Sequence, residues 1–188
     1  MFMSMQSLSF LLILLLAAPA RGVDLLFFSN DDVCDTSRDA YVACTGITQN
    51  TCCASYKPYC ETFILEQIGG DFNHYAMGEG SCLRNGSYTW AKDESGLRYC
   101  IGLPQDVTSE MCSSYWEPLQ GKEALEAAGD IINCREPDKM GYHDGERMRE
   151  IHLPDGTFWD AIKHHQDKNY KALLAYPAWN RSTVKRRN

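Results

Sequence analysis

The side chains with most chemistry to offer are nine cysteines: Cys34, Cys44, Cys52, Cys53, Cys60, Cys82, Cys100, Cys112 and Cys134. Cysteine sulfur can bridge to another sulfur, ligate a soft metal or act as a nucleophile. The spacing argues against zinc, because no Cys-x-x-Cys pair occurs and the histidines do not complete a ligand set. Disulfides are therefore the expectation, although spacing alone does not give their connectivity. Neighbouring side chains diverge, so adjacent Cys52 and Cys53 are expected to face different partners. Nine is odd. One thiol is left over, or it joins another molecule, so the chain is expected to be a monomer or a dimer through the odd cysteine.

The remaining reactive groups do not form a recognised constellation. His143-Asp144 has the types of a base and its orienting carboxylate, but sequence neighbours rarely face each other, and a turn aspartate is the plainer reading. His164 and His165, with Asp167 nearby, have metal-ligand chemistry. Adjacent positions on a helix point about 100° apart, however, which reads as a surface pair. Arg149, Glu150 and His152 cannot all serve one ribonuclease-like site on a strand whose side chains alternate. Trp90, Trp116, Trp159 and Trp179 suit either a sugar platform or core packing. The chain has no Gly-x-Ser-x-Gly elbow, no His-Glu-x-x-His helix and no Walker loop; Gly78-Glu79-Gly80-Ser81 lacks the lysine such a loop needs. No catalytic residue, cofactor or metal is assigned.

The N-terminus supplies the compartment in which cysteines oxidise. Residues 1–20 carry no charged side chain and end in the small-x-small sequence Ala18-Pro19-Ala20. The apolar run Leu8–Ala18 is about 11 residues, short of the roughly 20 that span a bilayer. A signal peptide over 1–20 is the expectation, followed by a single disulfide-rich globular domain over 21–180 and a basic flexible tail over 181–188 that carries Lys185-Arg186-Arg187. No other segment is apolar enough to cross a membrane. Asn85-Gly86-Ser87 and Asn180-Arg181-Ser182 fit the glycosylation pattern of exported chains, making Asn85 and Asn180 acceptor candidates; Asn50-Thr51-Cys52 is the rare variant with cysteine.

Lys and Arg number 18 against 25 Asp and Glu, a formal charge of −7. That balance opposes nucleic-acid binding, which needs a basic surface to displace phosphate counterions. It also opposes a membrane-active toxin, usually cationic. Hydrophobic residues at 44% place the chain among globular domains rather than disordered ones.

The elements that must position these residues read mostly as strands. Val23–Ser29, Ala40–Ile47, Glu61–Ile68 and Phe72–Met77 carry β-branched or aromatic runs. Residues 48–60 read as a polar loop pinned by cysteines, and Ser87–Ala91 with Leu97–Ile101 as a hairpin. Glu117–Ala128 reads as a helix, Ile131–Cys134 as a strand, and Arg147–Leu153 as an edge strand after an Asp144-Gly145 turn. Thr157 is expected to cap a helix carrying Phe158 and Ile162 on one face, with a second short helix over Asn169–Ala175. The predicted fold class is α+β: an antiparallel β-sheet with C-terminal helices, stabilised by disulfides.

Phe27-Phe28-Ser29-x4-Cys34, Cys44-Thr45-Gly46-Ile47-x4-Cys52-Cys53 and Tyr75-x6-Cys82 together resemble the small secreted cysteine-rich proteins of filamentous fungi. The resemblance implies an effector-like or wall-associated protein and carries over no catalytic residue. The expected function is that of a secreted, non-enzymatic protein binding an unknown extracellular protein or a cell-wall glycan. Tyr88, Trp90, Tyr142 and Trp179 are its expected anchors. The alternatives are a small extracellular hydrolase acting on polysaccharide or RNA, and a secreted toxin or antimicrobial protein.

Overall fold

The computed structural model describes residues 22–29, 34–48, 51–60, 62–66, 72–78, 82, 88–91, 99–102, 111–118 and 133–180. The expected leader, the basic tail, Asn50, Asn85 and the loop between the two halves of the expected hairpin lie outside them.

Eleven strands are described: β1 Val23–Phe28, β2 Tyr41–Ile47, β3 Thr51–Ala54, β4 Thr62–Glu66, β5 Phe72–Gly78, β6 Tyr88–Ala91, β7 Tyr99–Gly102, β8 Met111–Pro118, β9 Asn133–Arg135, β10 Lys139–His143 and β11 Met148–His152. Two helices follow, α1 Phe158–Gln166 and α2 Tyr170–Leu173. The strands form one sheet ordered β11-β10-β2-β1-β4-β7 and another ordered β6-β5-β8-β3-β9. Pairing is antiparallel except between β3 and β9. The α+β class, the C-terminal helices and the disulfide stabilisation are those read from the sequence.

Several local expectations are corrected. β6 and β7 are strands, but they do not form a hairpin: β6 pairs with β5 and β7 with β4, in different sheets. Within the supposed pinned loop, residues 51–54 form β3, held between β8 and β9. Glu117 and Pro118 end β8 rather than start a helix, because their backbone pairs with Asn73 and Phe72; residues 119–128 lie outside the described part. Thr157 precedes α1 but does not cap it with its side chain, since its hydroxyl donates to the Pro154 carbonyl at 2.7 Å. Asn169 does cap α2, accepting from the Ala172 N–H at 3.3 Å. The outer edge of β11 is covered: His152 N–H donates to Pro177 O at 2.8 Å, and Trp179 N–H to Glu150 O at 2.9 Å.

Alternation sorts the first sheet into two apolar faces. Leu25, Phe27, Val42, Met140, Tyr142 and Ile151 point to one side, against Phe158, Ala161 and Ile162 of α1 and Leu173 of α2. Leu26, Phe28, Tyr41 and Ala43 form a separate cluster with Cys34 on the other side. The β10–β11 turn closes at Gly145, whose φ of 98° favours a residue without Cβ. Asp144 Oδ1 accepts the N–H groups of Glu146 and Arg147, both at 2.9 Å.

Candidate functional site

The helical period that buries Phe158, Ala161 and Ile162 turns the next residue, Trp159, outward. Trp159 is 50% exposed. Its ring does not stand alone: the Tyr56 ring lies against it with centroids 4.5 Å apart, and Phe158 supports both from beneath at 5.4 Å and 6.2 Å. Tyr56 belongs to a short segment clamped in place after β3. Ser55 N–H donates to Cys112 O, Ser55 Oγ donates to Tyr59 O at 2.9 Å, and the Cys60–Cys112 bridge ties the end of the segment to β8. The result is a pair of rings on a rigid base, open to solvent. Such a surface gives a partner large contact area with little side-chain entropy left to lose.

A second cluster sits on the opposite face of β2, β10 and β11. Tyr41 crosses β10 above Gly141, where a Cβ would come within 2.2 Å of the tyrosine ring. Its hydroxyl donates to Glu150, and Lys139 Nζ donates to the same carboxylate oxygen at 2.7 Å. The ammonium also lies 5.3 Å from the centroids of both Tyr41 and Trp179. With its charge matched and its stem covered, Lys139 is built to hold this face together. It is not placed as a nucleophile.

His143, Asp144, His152 and His165 are likewise committed to structure. His143 Nδ1 accepts from the Gly145 N–H at 3.0 Å, while Asp144 takes Arg149 Nε at 2.5 Å, so the two neighbours do not pair. The Arg147 N–H, the Arg149 guanidinium and the Glu146 N–H hold Asp144 well below the usual carboxylate range. His152 Nδ1 meets Asp138 O at 2.9 Å. His164 and His165 part company: His165 turns inward to Tyr59 and is pulled below its ordinary pKa by burial. Glu150 and His152 share one side of β11 and Arg149 takes the other, as alternation requires.

Of the four expected anchors, Tyr142 is corrected: it is fully buried on the core face of β10, stacked on Tyr170 at 5.9 Å. Its phenol pKa is raised by desolvation. Trp179 is half-buried over Lys139, and Trp116 donates its indole N–H to Ile47 O at 2.8 Å. The side chains of Tyr88 and Trp90 lie outside the described part. Asn180 is exposed. The outward ring at Trp159 was readable from the spacing of Phe158 and Ile162, but its stacking partner Tyr56, more than a hundred positions earlier, was not.

The cysteines form a dense set. Cys44 bridges to Cys53, and Cys60 to Cys112. Cys52 departs to the opposite side from Cys53, toward Cys82, which also meets Cys134. Cys34 is bridged as well. The backbone of Cys100 is on β7, opposite Ile64.

Residues 24–138 match the family model ARB_05566_N, described as an N-terminal domain. The chain belongs to this family. No curated protein and no solved structure matches it. The ARB_05566_N segment contains all nine cysteines and Tyr56, and it ends one residue before β10. Trp159, the other half of the exposed pair, lies beyond the matched ARB_05566_N residues. Among the described residues no helix is long and apolar enough to cross a membrane.

Proposed function

We propose that this is a secreted, disulfide-stabilised, non-enzymatic protein that binds an extracellular partner through the Tyr56–Trp159 surface. The observation that carries the reading is a half-exposed tryptophan stacked on a clamped tyrosine. Export is supported by the uncharged apolar leader and by the bridges, which persist in oxidising compartments. A non-enzymatic role is supported by the structural commitments of His143, His152, His165, Lys139, Asp144 and Glu150. The cysteine pattern favours the effector-like form, in which the partner belongs to a host. The ring faces suit the C–H face of a wall sugar or an apolar anchor on a protein.

The test measures binding of the secreted chain to a glycan array and to extracellular protein extracts, with Trp159→Ala and Tyr56→Ala beside it. Each variant is expected to weaken the captured interaction at least tenfold, or about 1.4 kcal/mol, while keeping its circular dichroism spectrum. Undiminished binding by both variants would discard this surface. Turnover of a polysaccharide or RNA substrate would discard the non-enzymatic reading.

A further inference from the structure

Cys52 and Cys134 are directly opposed in the parallel pairing of β3 and β9, and Cys82 approaches both. Its Cα lies 5.8 Å from that of Cys52 and 5.9 Å from that of Cys134. The three Sγ atoms all lie within 4.8 Å of one another. A sulfur forms only one disulfide, so the cluster holds one bridge and one thiol at a time. An odd total of nine cysteines requires such a leftover in each monomer. Cys52 and Cys82 are buried, whereas Cys134 is exposed.

We infer that Cys52, Cys82 and Cys134 form a thiol–disulfide relay that moves a free thiol between the interior and the surface. With Cys82–Cys134 closed, the thiol is on Cys52, buried and shielded. The Cys52 thiol loses its proton to solvent base, and its thiolate attacks Sγ of Cys82. The Cys52–Cys82 bond forms as the Cys82–Cys134 bond breaks, and Cys134 leaves as a thiolate that takes up a proton. The step consumes no oxidant or reductant, and its reverse is the same displacement run from Cys134. The outward state presents a surface thiol able to exchange with an external thiol or disulfide. A metal is the competing use of three sulfurs, but a sulfur already in a bridge has no thiolate to offer one.

The relay is separate from the aromatic surface and stands or falls independently of it. The secreted wild-type chain is trapped in acid, cut with pepsin without reduction, and mapped by mass spectrometry. Both the Cys52–Cys82 and the Cys82–Cys134 peptides are expected, with one alkylatable thiol per chain divided between Cys134 and Cys52. Prolonged exposure to excess iodoacetamide near pH 8 should then drain the mixture into one product, alkylated at Cys134 and bridged Cys52–Cys82. Because the thiolate attacks, this drainage should slow as the pH is lowered, by up to about tenfold per pH unit. Cys134→Ser should leave Cys52–Cys82 closed and remove the alkylatable thiol. A thiol mapping to any other cysteine, a single bridge unchanged by alkylation at pH 8, or one zinc or copper ion per chain in place of the bridge would each overturn the relay.

Discussion

The hydroxyl of Tyr59, in the clamped segment after β3, lies 2.7 Å from Nδ1 of His165 on α1, across 106 positions of sequence. Burial raises the Tyr59 phenol far above its usual range, with Tyr170 a lesser cause, and lowers the His165 imidazole. The phenol therefore keeps its proton, the imidazole is held neutral, and the two share one hydrogen bond. This contact ties the helix that presents Trp159 to the segment that presents Tyr56.

Its pH dependence has a definite sign. The folded chain disfavours protonated His165, whereas an unfolded histidine takes up its proton near pH 6.5. The unfolded state thus binds more protons below that point. The stabilisation is complete above about pH 6.5 and is lost as pH falls through it toward the lower folded value. Urea unfolding at about pH 7.5 and about pH 5 should show a larger loss for wild type than for His165→Gln, which keeps an acceptor but does not titrate. Equal losses in the two proteins would refute the assignment.

Gly141→Ala should destabilise the chain by about 3 kcal/mol, in the range of overpacked cores. The new methyl would sit 2.2 Å from the Tyr41 ring, which is fully buried and cannot swing aside without releasing Glu150 and uncovering Lys139. At Gly145 nothing lies within 4 Å, so the same change meets only the strain of a φ of 98°, about 1 kcal/mol. Thermal melts of the two variants check the ranking, and a wild-type melting temperature for Gly141→Ala would contradict the packing.

Asp138 fastens β2 to the segment before β10. Its carboxylate accepts the Thr45 N–H at 2.9 Å, the Thr45 hydroxyl at 2.8 Å and Arg135 Nη2 at 2.5 Å. Asp138→Ala strands two buried donors on Thr45 and should cost about 3 kcal/mol. Asp138→Asn keeps one acceptor and should fall between. Hydrogen exchange at the Thr45 amide, accelerated in step with the loss of stability, is the measurement that locates the damage.

Local pattern was enough to read β1, β2, the turn that leads into β11 and the two C-terminal helices. In each, the apolar period and the turn residue sit within a few positions of one another: Val23 to Phe28, the Asp144-Gly145 turn, Phe158 with Ile162. Adjacency misled for β6 and β7. A strand pairs with whichever edge the fold presents to it, and β6 takes the edge of β5 while β7 takes that of β4. The same non-local pairing made a strand of Thr51–Ala54, a four-residue run inside a segment read as a polar loop.

The sequence by itself determined the class of molecule: acidic charge, an apolar N-terminal run, an odd set of cysteines and alternating strands, all properties of single residues or short windows. Only the tertiary structure decided which sulfurs meet at Cys82, that Tyr56 backs Trp159, and that Tyr142 faces inward rather than out. Those are contacts between residues up to 103 positions apart. They depend on how strands are ordered in two sheets, and local periodicity carries no information about that order.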